Sequence, residues 1–177
     1  MKKKMAFLLL GEDRTGKTTL QKKLTDYLTD NGKYDKLPRN KVFQITHKSI
    51  PKSFKTISFM NRSYQENCEE YLSIENFFQN YFGDADIAIL SSHLILSDIE
   101  EIIRNLKSKY FNVIGVFFSN SIEENPIENS EISQLEWNER VILENNIVPV
   151  VSSEQIELQL EKPSMNFLFY IIDKTQK

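Results

Sequence analysis

The stretch Met5-Ala-Phe-Leu-Leu-Leu-Gly-Glu-Asp-Arg-Thr-Gly-Lys-Thr-Thr-Leu20 decides the fold class. Six apolar residues run without a break and stop at a glycine, as in a strand covered on both faces. Residues 11–18 then satisfy G-x-x-x-x-G-K-[ST] at every fixed position. Gly11 and Gly16 let the backbone turn successive amide N–H groups around an oxyanion. The helix that follows aims its free amides and positive dipole end at the same anion. Lys17 is spaced to bridge β- and γ-phosphates, and the Thr18 hydroxyl to ligate Mg²⁺. A glycine turn with incidental Lys and Thr is the bland alternative. Against it stand the buried strand in front and the helix behind, where Leu20, Leu24, Tyr27 and Leu28 recur at helical spacing.

Outward from this unit, strands and helices alternate. Lys41-Val-Phe-Gln-Ile-Thr46 reads as a second strand, and Ile57-Ser-Phe-Met60 as a short strand or the lead-in to a helix. A helix is predicted from Tyr64 to about Tyr81, with Tyr71, Ile74, Phe77, Phe78 and Tyr81 on one side. That aromatic stripe reads as core; it is equally suited to packing on a second subunit, so a homodimer stays open. Asp86-Ile-Ala-Ile-Leu90 is a third buried strand, followed by a helix to Tyr110 that Ser97 or Asp98 would cap. Asn112-Val-Ile-Gly-Val-Phe-Phe118 is a fourth strand. An acidic segment, a helix near residues 133–144 and a strand Ile147-Val-Pro-Val-Val151 come next. The last apolar patch, residues 167–172, is a helix or an edge strand. The expected architecture is one α/β domain over residues 1–177. Its mostly parallel sheet carries helices on both faces with right-handed crossovers, a three-layer P-loop NTPase fold.

The bulk properties narrow the partners. The 177 residues are 40% apolar, enough for a real core, and the net charge of -3 is spread over charges of both signs. That balance exerts no general pull toward nucleic acid or an anionic membrane. Lys2, Lys3 and Lys4 read as a solubilising tail, because the apolar run behind them falls far short of the ~18 residues of a span. Cys68 is alone, so neither a disulfide framework nor a cysteine metal site is expected, and a reducing, cytoplasmic setting is the default.

The variable positions of the loop add a family resemblance. Leu10-Gly-Glu-Asp-Arg-Thr-Gly-Lys-Thr-Thr-Leu-Gln-Lys-Lys-Leu24 resembles the start of thymidylate kinases, whose loop reads G-x-D-x-x-G-K-[ST]-T with a Gln and a Leu farther along the helix. Asp13-Arg14 is similar to the eukaryotic and viral branch, which places an Arg after that Asp. The resemblance implies ATP-dependent phosphoryl transfer to a nucleoside monophosphate with Mg²⁺. Arg14 and Lys17 would be catalytic, and residues 11–19 (Gly11, Glu12, Asp13, Arg14, Thr15, Gly16, Lys17, Thr18, Thr19) would bind the nucleotide. Thr18 would be the metal ligand and Asp13 a substrate contact. Between Ser119 and Glu139 there is no Lys or Arg, which agrees with a family branch whose lid, here about residues 119–139, needs no catalytic Arg.

The acceptor side departs from the family. Its Phe-x-Arg-Glu-Pro element is absent from residues 44–51, where His47 and Lys48 are the remaining candidates for an acceptor phosphate. Its Asp-Arg-[Tyr/His]-x-x-Ser element is replaced by Ser91-Ser-His-Leu-Ile-Leu-Ser97, leaving Ser92 and His93 to face the nucleotide or merely to cap the next helix. Arg62 is a further candidate for gripping an acceptor. A nucleotide-holding module without efficient transfer is therefore the competing reading. A signalling GTPase is disfavoured, since residues 89–94 and 118–123 hold neither Asp-x-x-Gly nor Asn-Lys-x-Asp.

Overall fold

The computed structural model describes residues 4–32, 34, 36–38, 41–145 and 152–177. Strand β1 (Lys4–Leu10) has no polar side to offer water beyond its first residue, and it lies in the middle of the sheet. It is followed by α1 (Lys17–Leu28), β2 (Val42–Gln44), β3 (Thr56–Met60), a 3₁₀ turn Gln65–Asn67, α2 (Cys68–Tyr71) and α3 (Ile74–Asn80). Then come β4 (Ile87–Ser92), α4 (Leu96–Ser108), β5 (Phe111–Phe118), α5 (Ser119–Glu124), α6 (Pro126–Ser133), β6 (Glu139–Leu143), α7 (Ser153–Gln159) and α8 (Glu161–Gln176). The strand order among the described residues is β2-β3-β4-β1-β5-β6, with every neighbouring pair parallel except β2–β3.

Alternation along β1 sorts the core into two layers. Phe7 and Leu9 pack with Leu20, Leu24, Leu28, Phe167 and Ile171 of α1 and α8, the Phe7 and Phe167 rings meeting edge-on at 5.5 Å. Leu8 and Leu10 point the other way, onto Ile102 and Leu106 of α4, Phe77 of α3 and Phe111. A mostly parallel sheet between two helical layers is the result. Tyr71, Phe77 and Phe78 are buried in the second layer, so the aromatic stripe belongs to the core of its own chain.

Several sequence expectations change. The single helix over residues 64–81 is broken into a 3₁₀ turn and two short helices, because Leu72 adopts a left-handed backbone (φ 64°) and Ser73 starts anew by accepting the Asn76 N–H. The helix expected near 133–144 is not formed: helix α6 ends at Ser133, and Glu139–Leu143 is instead a strand that pairs with β5 along its whole length, where pairing overrides helical preference. Neither Ser97 nor Asp98 caps α4; its N-cap is Ile95, and Asp98 instead accepts the Gln65 side-chain amide at 2.8 Å. Residues 57–60 form a strand, residues 167–172 lie within a helix, and residues 147–151 lie outside the described residues. Among the described residues no helix is long and apolar enough to cross a membrane.

Candidate functional site

Because β1, β3, β4, β5 and β6 run parallel, their carboxyl ends open on one edge of the sheet, where ligands of such sheets gather. The loop after β1 curls there in a conformation its glycines dictate. Gly16 sits at φ 93°, in the left-handed region, immediately before α1. At Gly11 a Cβ would meet Thr15 Cγ2 at 2.8 Å, so only glycine lets the two ends of the loop approach. Arg14 also takes a left-handed backbone, φ 66°, with its side chain exposed. Inside the curl, buried Thr15 donates its hydroxyl to the Glu12 carbonyl at 2.8 Å.

Lys17 folds back into this curl. Its ammonium donates to the Gly11 carbonyl at 2.5 Å, to the Glu12 carbonyl at 2.7 Å and to the Thr15 hydroxyl at 3.2 Å. Burial pushes the Lys17 ammonium below the ordinary lysine value, while Asp13, Glu12 and Glu66 pull it back upward. A buried cation is thus held against the loop by uncharged carbonyls, which an anion in the loop can outbid. Thr18 and Thr19 follow on the first turn of α1, Thr18 exposed.

The rim facing the loop is assembled from distant segments. Both oxygens of Glu12 are engaged: Oε2 lies 2.9 Å from His93 Nδ1, and Oε1 accepts the Leu94 N–H at 3.0 Å. Burial alone would raise the Glu12 carboxyl. The hydrogen bonds to His93 and Leu94, with the nearby Lys17 charge, hold it below its ordinary value. The hydroxyls that end β4 are turned inward: Ser91 accepts from the buried Gln21 amide at 2.8 Å, and Ser92 donates to the His93 carbonyl at 2.9 Å. On the opposite flank, Asn145 follows β6 and is buried. It donates to the Thr15 carbonyl at 3.0 Å and accepts from the Asn120 N–H and the Ser119 hydroxyl, each at 3.2 Å.

The predicted site residues are thus divided. Residues 11–19, Ser92 and His93 share the carboxyl edge, and Arg62 follows β3 at the same edge, next to Asn61 in the loop pocket. His47 and Lys48 do not join them. β2 is antiparallel, so it delivers the chain to the amino ends of the parallel strands, where Thr46 N–H donates to the carbonyl of Leu28. Leu28 ends the 12-residue α1, about 18 Å from its start. The segment over residues 119–139 contributes α5, α6 and the start of β6, and buries Ser121, Asn129 and Ile132. Sequence reading missed Glu66 and Asn145, since a lone Glu or Asn between elements carries no pattern. No family model, curated protein or solved structure matches this chain, and the chemistry of the site rests on the residues just described.

Proposed function

We propose that the chain binds ATP in the loop of residues 11–18 and transfers its terminal phosphoryl group to a nucleoside monophosphate, in a P-loop NTPase fold of thymidylate kinase type. The observation that carries the reading is the curl itself: left-handed Gly16, a Gly11 that admits no side chain, and the Lys17 ammonium resting on the loop's own carbonyls. Phosphate oxygens entering the loop take over Lys17, and the amides at the start of α1 complete their cradle. Thr18 is the residue that would hold Mg²⁺, which when bound neutralises charge on the phosphates. Exposed Arg14 is free to meet the transferred group, supplying the positive charge that phosphoryl transfer rewards. Asp13 and Arg62 flank the acceptor side. An acceptor phosphate attacks as an anion, so no general base is required of the β4 end.

The test is an ADP-release assay with purified protein, ATP, Mg²⁺ and a panel of nucleoside monophosphates. Turnover with at least one acceptor is expected, falling roughly 10³-fold in Arg14→Ala, the low end of what a transition-state arginine supplies. ATP binding should disappear in Lys17→Ala. Absence of turnover above the Arg14→Ala background with every acceptor would sink the transfer reading.

A second reading, a module that holds nucleotide without efficient transfer, is favoured by one observation. Ser92, where the family that the loop resembles carries a carboxylate, is already spent on the His93 carbonyl, and Ser91 beside it on Gln21. Lys17-dependent ATP binding without turnover is the result that reading requires.

A further inference from the structure

The imidazole of His93 is oriented in a way that phosphate binding does not account for. Glu12 Oε2 lies 2.9 Å from Nδ1, and a carboxylate can only accept, so Nδ1 carries the proton and the free electron pair of the neutral ring lies on Nε2. Nε2 is buried and has no hydrogen-bond partner among the described residues. It faces two anions instead, Asp13 Oδ1 at 3.8 Å and Glu66 Oε1 at 3.7 Å. An electron pair opposed to two carboxylates is repulsive. A proton there gains only coulombic attraction, because both oxygens lie beyond hydrogen-bond reach. A cation with bonds of about 2.0–2.2 Å satisfies all three atoms at once, and the three ligand atoms lie within 4.8 Å of one another.

We propose that Asp13, Glu66 and His93 form a binding site for a first-row divalent transition cation, with Glu12 as the carboxylate that orients His93. The donor set selects the class of ion: one imidazole and two carboxylates suit Zn²⁺, Co²⁺, Mn²⁺ or Fe²⁺, whereas Mg²⁺ and Ca²⁺ prefer oxygen alone. Glu12 supplies the outer partner that metal-bound imidazoles almost always have, fixing the tautomer and the ring plane. The ligands come from the loop after β1, the 3₁₀ turn after β3 and the end of β4, so an ion joins three segments of the carboxyl edge. Asp13 is 87% exposed and Glu66 37%, which leaves part of the coordination sphere open toward the loop pocket that both residues line. Lys17 lies close enough to feel both carboxylates and competes with the ion. The site borders the proposed nucleotide loop and does not depend on that loop holding nucleotide.

The test is a titration of the full chain with Co²⁺ in the absence of nucleotide, read by calorimetry and by the visible d–d bands, followed by displacement with Zn²⁺. One Co²⁺ per chain is expected, unmoved by Mg²⁺ at the same concentration. His93→Ala and Glu66→Gln should each raise the dissociation constant at least tenfold, and Glu12→Gln by roughly 10–100-fold with altered bands. Glu66 is exposed, so its variant keeps the test informative even where His93→Ala fails to fold. Lys17→Ala should bind Co²⁺ as tightly or more tightly, and Thr18→Ala equally. No saturable Co²⁺ or Zn²⁺ binding, affinity indifferent to both His93 and Glu66, or binding lost with Thr18 overturns the proposal. Co²⁺ binding by a protein that fails to bind ATP supports it and sinks only the nucleotide reading.

Discussion

The loop of residues 11–18 and the rim that faces it are built in opposite ways. The side-chain hydrogen bonds made within the loop join residues two to six positions apart: Thr15 to Glu12, and Lys17 to Gly11, Glu12 and Thr15. The rim is made of long-range bonds, Glu12 to His93 across 81 positions and Asn145 to Thr15 across 130. The side-chain bonds inside the loop need only the eight residues that make it and their immediate neighbours. A long-range structure exists only once the sheet has brought β4 and β6 to either side of β1. The curl of the loop is therefore carried mostly by its own neighbours in sequence, while the placing of His93 and Asn145 around it depends on the whole sheet.

The sharpest way to break this contrast is to remove the tie at Thr15. Asn145→Leu takes away the donor to the Thr15 carbonyl and the acceptor for the Asn120 N–H, leaving buried polar groups without partners. A cost of about 2–3 kcal/mol is expected in denaturant unfolding. ATP affinity should fall with it, since the carbonyl sits in the middle of the loop. A loss under about 0.5 kcal/mol would mean that the loop keeps its shape unaided.

A smaller effect is expected inside the loop. Gly16→Ala forces a left-handed backbone on a residue with a Cβ, at φ 93°, for about 1–2 kcal/mol. The loss should appear in thermal unfolding and again in ATP affinity, because the loop relaxes by swinging its amides out of register. Unchanged values in both would show that the left-handed turn is incidental to the loop.

The same contrast explains how much of the molecule could be read from its sequence. β1, β4, β5, α1 and α4 were legible because each carries its own periodicity: continuous apolar runs for buried strands, and Ile99, Ile102, Ile103 and Leu106 for one helix face. β6 was not. Glu139-Arg-Val-Ile-Leu143, the edge strand among the described residues, is half-exposed and charged, and its pairing with β5 makes it a strand. The acceptor side was misplaced for a related reason. Residues 41–46 look like the second strand of a parallel sheet, yet they form the antiparallel edge, and the parallel strand beside β4 is the next one. That shift moves the chain's return to the carboxyl edge from His47 to Asn61 and Arg62, and it brings Glu66 within 3.7 Å of His93. Nothing in the spacing of Glu66, His93 and Asn145 announces that they converge on one loop.

The smallest predicted effect lies on the seam between the two regions, at Glu12, which belongs to the loop by its backbone and to the rim by its side chain. In the unfolded chain its carboxyl titrates near 4.5; in the folded chain the bonds to His93 and Leu94 hold it lower. The unfolded state therefore binds the proton first as the pH falls. The stabilisation is fully present above pH 4.5 and is lost as the pH drops through the lowered folded value. Glu12→Gln has no such proton to bind. Stability of the native chain relative to this variant should shrink as the pH falls below about 4.5. The side chain is 43% exposed, which limits the difference to at most about 1 kcal/mol. Denaturant midpoints of the two proteins between pH 3 and 7 measure it, and Asp13, Glu66 and the remaining acids cancel in the comparison. Curves that stay parallel through the acid range would show that the seam carries no charge-dependent tie, and that the rim holds the loop through Asn145 and the backbone alone.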